Sequence, residues 1–450
     1  MNPSQIKVQS TKLIDKAMAA GADQCDVLFS TGKSFSVSVQ NAALDKYKVS
    51  SSSVIGLRVI KDQKVGISYS ESMDDESMDR VVTQALTNAS FTDKTPFQQI
   101  DVKNEADIIV EDKALCQDDS SSVEEKIEFA LSLEKDTLAR DSRVVGAPYN
   151  GFGESEGAYA YANHLGTFCY HHEKSVSCYV AALTKDQDKQ AMYGHSMIGR
   201  KLYDLDKDTC IDGALQYALP LLDAKPIKTG RYDVIFDIDQ LEQLIGVFTS
   251  IFSAKQVLEG RSRLGEKMSQ GIASELLTLR DVPHHPEGFS YSLFDDEGQK
   301  RQALTLIEGG ILKSFLHNSA TAKEMGVAPT AHASRGPKSP LGISASQLVI
   351  DAGSSTEQSV KGGRHLYIVG LKGLHSGTNA ISGHFSLAVE GLLMNDSGQV
   401  EQYVKDVTVS GNAFDLLKQV EAVGNITHAS HSKSFFAPVI RFGGLSVAGS

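Results

Sequence analysis

The chain has 450 residues, 41% of them apolar, enough for about three domains of roughly 150 residues with real cores. A formal net charge of −12 with no lysine- or arginine-rich run argues against direct nucleic-acid binding. Five scattered cysteines without a C-x-x-C pair argue against a disulfide framework or zinc ribbon; the polar N-terminus and the lack of any apolar run near the ~18 residues of a membrane span lead us to expect a cytoplasmic protein.

Ser4 to Ala20 reads as an amphipathic helix stopped by Gly21, followed by strands over Cys25 to Phe29 and Ser34 to Val39. Val54 to Ile60 and Val65 to Tyr69 flank Lys61-Asp62-Gln63-Lys64 at hairpin spacing, and a helix over Asp75 to Ala89 completes a first α+β unit. Phe91 to Ser120, with Pro96 and scattered acids, reads as a long surface connection. Ser122 and Glu125 form a capping box that opens a helix over Ser121 to Arg140. Short strands follow at Val144 to Val145, Tyr159 to Ala162, Thr167 to His171 and Ser175 to Leu183, with Gly151, Gly153, Gly157 and Gly166 read as breaks. A helix over Thr209 to Leu222 ends the second unit, and Ala224 to Gly230 is a linker holding both Pro and Gly.

Tyr232 to Ile238 is then a buried strand. Asp237 caps the next helix, with Gln240 completing a capping-box-like pair, and Leu241, Leu244, Ile245, Phe248, Ile251 and Phe252 fall on one helical face. Beyond it glycines and short strands dominate, with brief helices at Ser319 to Glu324 and Ala413 to Gln419. The expected fold is α+β: two helix-plus-strands units over 1–112 and 118–225, then a β-rich domain over 231–450 with a buried helix after its first strand.

Thirteen histidines invite a metal search, yet no H-E-x-x-H pair exists. His171 and His172 are neighbours on a strand, so they face opposite sides and cannot share an ion. His284-His285 precedes Pro286, an extended loop with the same objection. A looser set, His375, His384, His428 and His431, sits among glycine loops whose convergence the sequence leaves open. Gly373-Leu374-His375-Ser376-Gly377 lacks the strand-turn-helix setting of a nucleophile elbow, and Ser430-His431-Ser432-Lys433 matches S-x-x-K only as a serine-rich loop would. Gly151-Phe152-Gly153 lacks the rest of a phosphate-binding loop. Phe294-Asp295-Asp296-Glu297-Gly298 lacks the ligand alternation of a calcium loop and reads as a solvated turn.

Several stretches in order resemble the TldD/PmbA family, known as modulators of DNA gyrase and as subunits of a TldD–TldE metallopeptidase. They are Thr229 to Asp237, Phe294 to Gly298, His317 to Ala322, Gly383-His384-Phe385-Ser386, Val409-Ser410-Gly411-Asn412 and Val423-Gly424-Asn425. The resemblance implies a metal motif H-E-x-x-x-H on the helix after the Tyr232 strand in the TldD branch, with a cysteine ligand near the C-terminus. Anchored on Gly246, that motif falls on Glu242 to Val247: Glu242 stands at the first histidine, Gln243 at the glutamate and Val247 at the second histidine. Asn425 to Phe435 holds no cysteine, and Leu387-Ala388 replace the usual Arg-Gly after Ser386.

The resemblance therefore implies a PmbA/TldE-like subunit with no catalytic residue or cofactor of its own. It would pair with a TldD-like chain carrying the metal, zinc by expectation, and act on unfolded or extended peptides. Peptide or partner contacts are expected at His375, Ser376, Asn379, His384 and Ser386, with strand addition as the binding mode. Two alternatives stay open: a stand-alone metal-dependent hydrolase built on the loose histidine set, and a non-proteolytic modulator of DNA gyrase. Homo-oligomerisation is also open.

Overall fold

The computed structural model describes residues 2–289 and 291–450. Its N-terminal part is built on one seven-stranded sheet, ordered Lys64–Ser70, Ala43–Lys61, Gln24–Gln40, Val144–Asn163, Phe168–Asp186 and Ile108–Val110, with Lys189–Gly199 also paired to Phe168–Asp186. Gln24–Gln40 and Val144–Asn163 pair antiparallel from Asp26 opposite Asn163 to Val37 opposite Phe152, so the two helix-plus-strands units fuse edge to edge. Two core clusters result, each drawing strand residues from both units. Helices Pro3–Ala19 and Asp75–Phe91 cover one half through Ile6, Leu13, Met78 and Val82. Val123–Arg140 and Lys207–Ala218 cover the other through Ala130, Leu133, Ile211 and Ala214.

The strands are longer than their sequence pattern suggests. Ser30 to Lys33, read as a gap, continues the Gln24–Gln40 strand, and Gly151, Gly153 and Gly157 lie inside the unbroken Val144–Asn163 strand. Gly151 is there for space: a Cβ would sit 2.5 Å from the Val37 carbonyl oxygen of the neighbouring strand. Gly166 alone of the four makes a turn, at φ +90°. Asp62 and Gln63 both have positive φ and close the hairpin between Lys61 and Lys64.

In the C-terminal part, Gly230–Phe236, His365–Lys372, His384–Met394, Val400–Asn412 and Phe435–Ala448 form a closed ring of paired strands. Closure falls at Ser446, which faces Ser410 on one side and Arg231 on the other. Every strand of the ring has a partner on both sides, although Val400–Asn412 meets Phe435–Ala448 only over Thr408 to Ser410, and Val420–Ala429, outside the ring, has a single strand partner. Helix Ile238–Phe248 buries Leu241, Leu244 and Phe248 in the same core as Phe385, Leu387 and Val409, a gross gain of roughly 5–9 kcal/mol. Asp237 does cap this helix, accepting from the Asp239 N–H, whereas Gln240 spends its side-chain oxygen on the Leu371 N–H of the barrel instead of on a capping box. Among the described residues no helix is long and apolar enough to cross a membrane.

The two parts meet over a buried ionic cluster. The Phe294 to Gly298 segment, expected to be a solvated turn, is its centre: Asp295 is 0% and Glu297 3% exposed. Asp26 and Arg58 face each other across adjacent strands, and Arg335 of the C-terminal part reaches the same carboxylate at 2.5 Å. Glu297 accepts from the Ser319 N–H and hydroxyl at 2.9 and 2.6 Å, and Asp296 accepts from the Tyr159 hydroxyl and the Arg335 N–H. Burial, then the Glu297 charge, push the Asp295 carboxyl up to about 7. Gly298, at φ +78°, leaves room for the Tyr161 ring 2.5 Å from where a Cβ would be.

Candidate functional site

With its apolar stripe turned to the barrel, helix Ile238–Phe248 presents Asp239, Glu242 and Gln243 to a cleft of about 370 Å³. The opposite wall comes from the N-terminal sheet, through Tyr179 on one strand and Tyr193 to Ser196 on the next, and the loop carrying His431 and Ser432 closes one side. The cleft therefore exists only where the two parts of the molecule meet.

Two hydrogen-bonded sets furnish it. Asp239 accepts from the His431 backbone N–H at 2.8 Å and pairs with His431 Nδ1 at 2.5 Å, which raises the His431 pKa. The His195 ring stands edge-on to His431, with centroids 4.0 Å apart, in a niche left by Gly213. Burial, then the His431 charge, hold His195 down at about 4, so at neutral pH it is an uncharged imidazole beside a favoured imidazolium. In the second set, Glu242 Oε1 accepts from the Ser432 and Ser434 hydroxyls at 2.8 and 2.6 Å.

The aligned metal-motif positions are thus split. Glu242 and Gln243 line the cleft, while Val247 packs against the C-terminal core and offers no donor. Ser432 and Ser434 meet the helix where the resemblance expects a cysteine ligand. A carboxylate shared between two hydroxyls does not fit zinc's preference for imidazole and thiolate in this position. The cleft thus has a polar lining: the Asp239–His431 pair, the neutral His195, Tyr179, and Tyr193, whose hydroxyl donates to the Val369 carbonyl.

Four of the five expected contact residues lie elsewhere, in a cleft of about 790 Å³ lined by Ser376, Asn379, His384 and Ser386 together with Arg231 and Asn412. Alternation over His384 to Val389 puts Phe385, Leu387 and Val389 inside the barrel and leaves His384 and Ser386 outside. His375 is exposed but is not one of its lining residues. The loose histidine set does not converge: His384 lines this cleft, His431 lines the cleft at the helix, and His428 pairs with Glu357. His195 escaped the sequence reading because only the meeting of the two parts brings it to His431.

An N-terminal sheet, antiparallel except where Ile108–Val110 runs parallel to Phe168–Asp186, joins a closed barrel, with the helix that carries Glu242 and Gln243 at their junction. Residues 25–89, 117–222 and 229–449 match the first, central and C-terminal domains of the PmbA/TldA metallopeptidases, and the chain belongs to this TldD/PmbA family. It is 25% identical to the metalloprotease PmbA of Escherichia coli over 94% of this chain and 93% of that one. A metalloprotease of Archaeoglobus fulgidus is 27% identical, covering 86% and 88%. Among solved structures, a proposed modulator of DNA gyrase from Thermotoga maritima superposes with a TM-score of 0.88 at 26% identity, over 98% of this chain and 100% of that one. TldE of Thermococcus kodakarensis shares the fold, with a TM-score of 0.82 at 20% identity and coverage of 98% and 100%.

Proposed function

We propose that this chain is a PmbA/TldE-like subunit of a heteromeric metallopeptidase, pairing with a TldD-like chain that carries the catalytic metal. The observation that carries this reading is the Glu242 carboxylate held by the Ser432 and Ser434 hydroxyls, with Val247 half-buried against the C-terminal core. That constellation keeps the contact between helix and C-terminal loop and replaces metal-ligand chemistry with hydrogen bonding. The subunit's part is to complete the wall of a peptide chamber. Extended peptide would be gripped by side chains and loop backbone in the clefts, with strand addition confined to edges outside the closed ring, such as Val420–Ala429.

The test is cleavage of a denatured polypeptide by the purified chain, by a TldD-like partner, and by the two together. Activity is expected from the mixture, with inhibition by a chelator and with the two chains co-eluting. Chelator-sensitive cleavage by this chain alone, abolished by Glu242→Ala, would overturn the reading.

A further inference from the structure

Away from both clefts, two neighbouring strands of the N-terminal sheet and the connection before the Val123–Arg140 helix bring together a thiol, an imidazole and a carboxylate. In the register of Val144–Asn163 against Phe168–Asp186, Ala158 stands opposite His172, so Glu156, two residues along, shares the His172 face. Cys116 arrives from the connection before the Val123–Arg140 helix. Its turn is fixed by the Cys116 N–H donating to the Asp112 carbonyl at 3.2 Å and by the Lys174 N–H donating to the Leu115 carbonyl at 2.9 Å. His172 Nε2 lies 3.8 Å from Cys116 Sγ and 3.1 Å from Glu156 Oε1, and the three donor atoms all lie within 4.8 Å of one another.

We infer that Cys116, Glu156 and His172 form a zinc-binding site whose fourth position is open to solvent. Bonds of about 2.3 Å to sulfur and about 2.0–2.2 Å to nitrogen and oxygen put the edges of a tetrahedron near roughly 3.4–3.6 Å, so the two observed separations bracket the ideal within a few tenths of an ångström. A nucleophile relay is a poorer fit. In a relay the thiol and the carboxylate engage opposite nitrogens of the ring. Here both converge on Nε2, which has a single bonding direction, and a cation placed between all three satisfies them together. Thiolate plus imidazole selects zinc over magnesium or calcium.

The nearby cations are already committed. Lys174 Nζ is held by Glu154 at 2.8 Å, and Arg200 donates to the Lys174 and Phe289 carbonyls while lying 3.7 Å over the Phe289 ring. His171 faces away from His172, as strand geometry requires, and one imidazole is sufficient. The bound ion would clamp the connection before the Val123–Arg140 helix to the sheet, independently of any metal in a partner chain.

The purified full-length chain, stripped with chelator, is titrated with zinc by calorimetry and with cobalt by absorption. One ion per chain and a thiolate-to-cobalt charge-transfer band are expected. Cys116→Ser and His172→Ala should each weaken zinc by more than about 100-fold, since even residues behind the ligands are worth 10–100-fold. Glu242→Ala and His384→Ala should bind as the parent does. An unfolding midpoint in chelator equal to the parent's shows that each variant folds, and Glu156→Gln serves as a second variant. No binding in the micromolar range, binding unchanged in both Cys116 and His172 variants, or binding lost only with Glu242→Ala would each overturn the site.

Discussion

Carboxylates gather twice where the N-terminal sheet meets the C-terminal part, and the two gatherings are built differently. Around Asp26, Arg58, Glu297 and Arg335, ions are sealed from water, and each carboxylate answers a guanidinium or several N–H and O–H donors. Around Asp239 and Glu242 the same residue type borders an open cleft, paired with an imidazole and with serine hydroxyls that water can replace. The sealed set can only be scaffold, because nothing reaches it. The open set keeps its side chains available and is the one that a peptide or partner can address.

Removing one ion from each set should separate them. Arg58→Met leaves Asp26 and Glu297 short of a buried counter-charge and should cost about 3–5 kcal/mol, read as a lowered urea midpoint. A loss under 1 kcal/mol would show that the cluster is wetter than its burial implies. Glu242→Ala releases two serine hydroxyls to solvent and should cost only about 0.5–1.5 kcal/mol, while weakening peptide cleavage or assembly with the partner. If the two variants lost equal stability, the contrast between sealed and open sets would fail.

The smallest effect is one of pH. His195 takes up its proton near 4 in the folded chain but near ~6.5 when unfolded, so its contribution is present above that value and is lost as the pH falls toward 4. The group works against His431, whose raised pKa makes its stabilisation fade as the pH rises. His195→Gln should therefore flatten the fall in stability between about pH 6.5 and pH 4. Urea midpoints across that range that drop as steeply as the parent's would remove His195 as a contributor.

Local signals were legible in the sequence. The Ser122–Glu125 capping box, the Asp237 cap and the Asp62–Gln63 hairpin each depend on residues a few positions apart, and the α+β plan with a helix buried after the Tyr232 strand follows from periodicity. Long-range partners were not. Gly151 looks like a break until Val37 is seen beside it, Gln240 looks like a cap until Leu371 takes its oxygen, and Phe294 to Gly298 looks solvated until Arg58 and Arg335 arrive. At the clefts, the resemblance selected Glu242, Gln243, His384 and Ser386, but the companions His195, Ser432 and Ser434 come from segments that no spacing connects to them.

The barrel's closure also sets an order on making the molecule. Gly230–Phe236 pairs with Phe435–Ala448, so a strand that leaves the ribosome early waits for one synthesised some two hundred residues later. At about 5–20 residues per second that wait lasts on the order of ten seconds or more. The N-terminal sheet, whose strands are all contained in the first 199 residues, is free to form in the meantime. Until the final pairing forms, the Gly230 strand has an unsatisfied edge. The nascent C-terminal region is thus the part of this protein most exposed to misassociation and most dependent on chaperone cover.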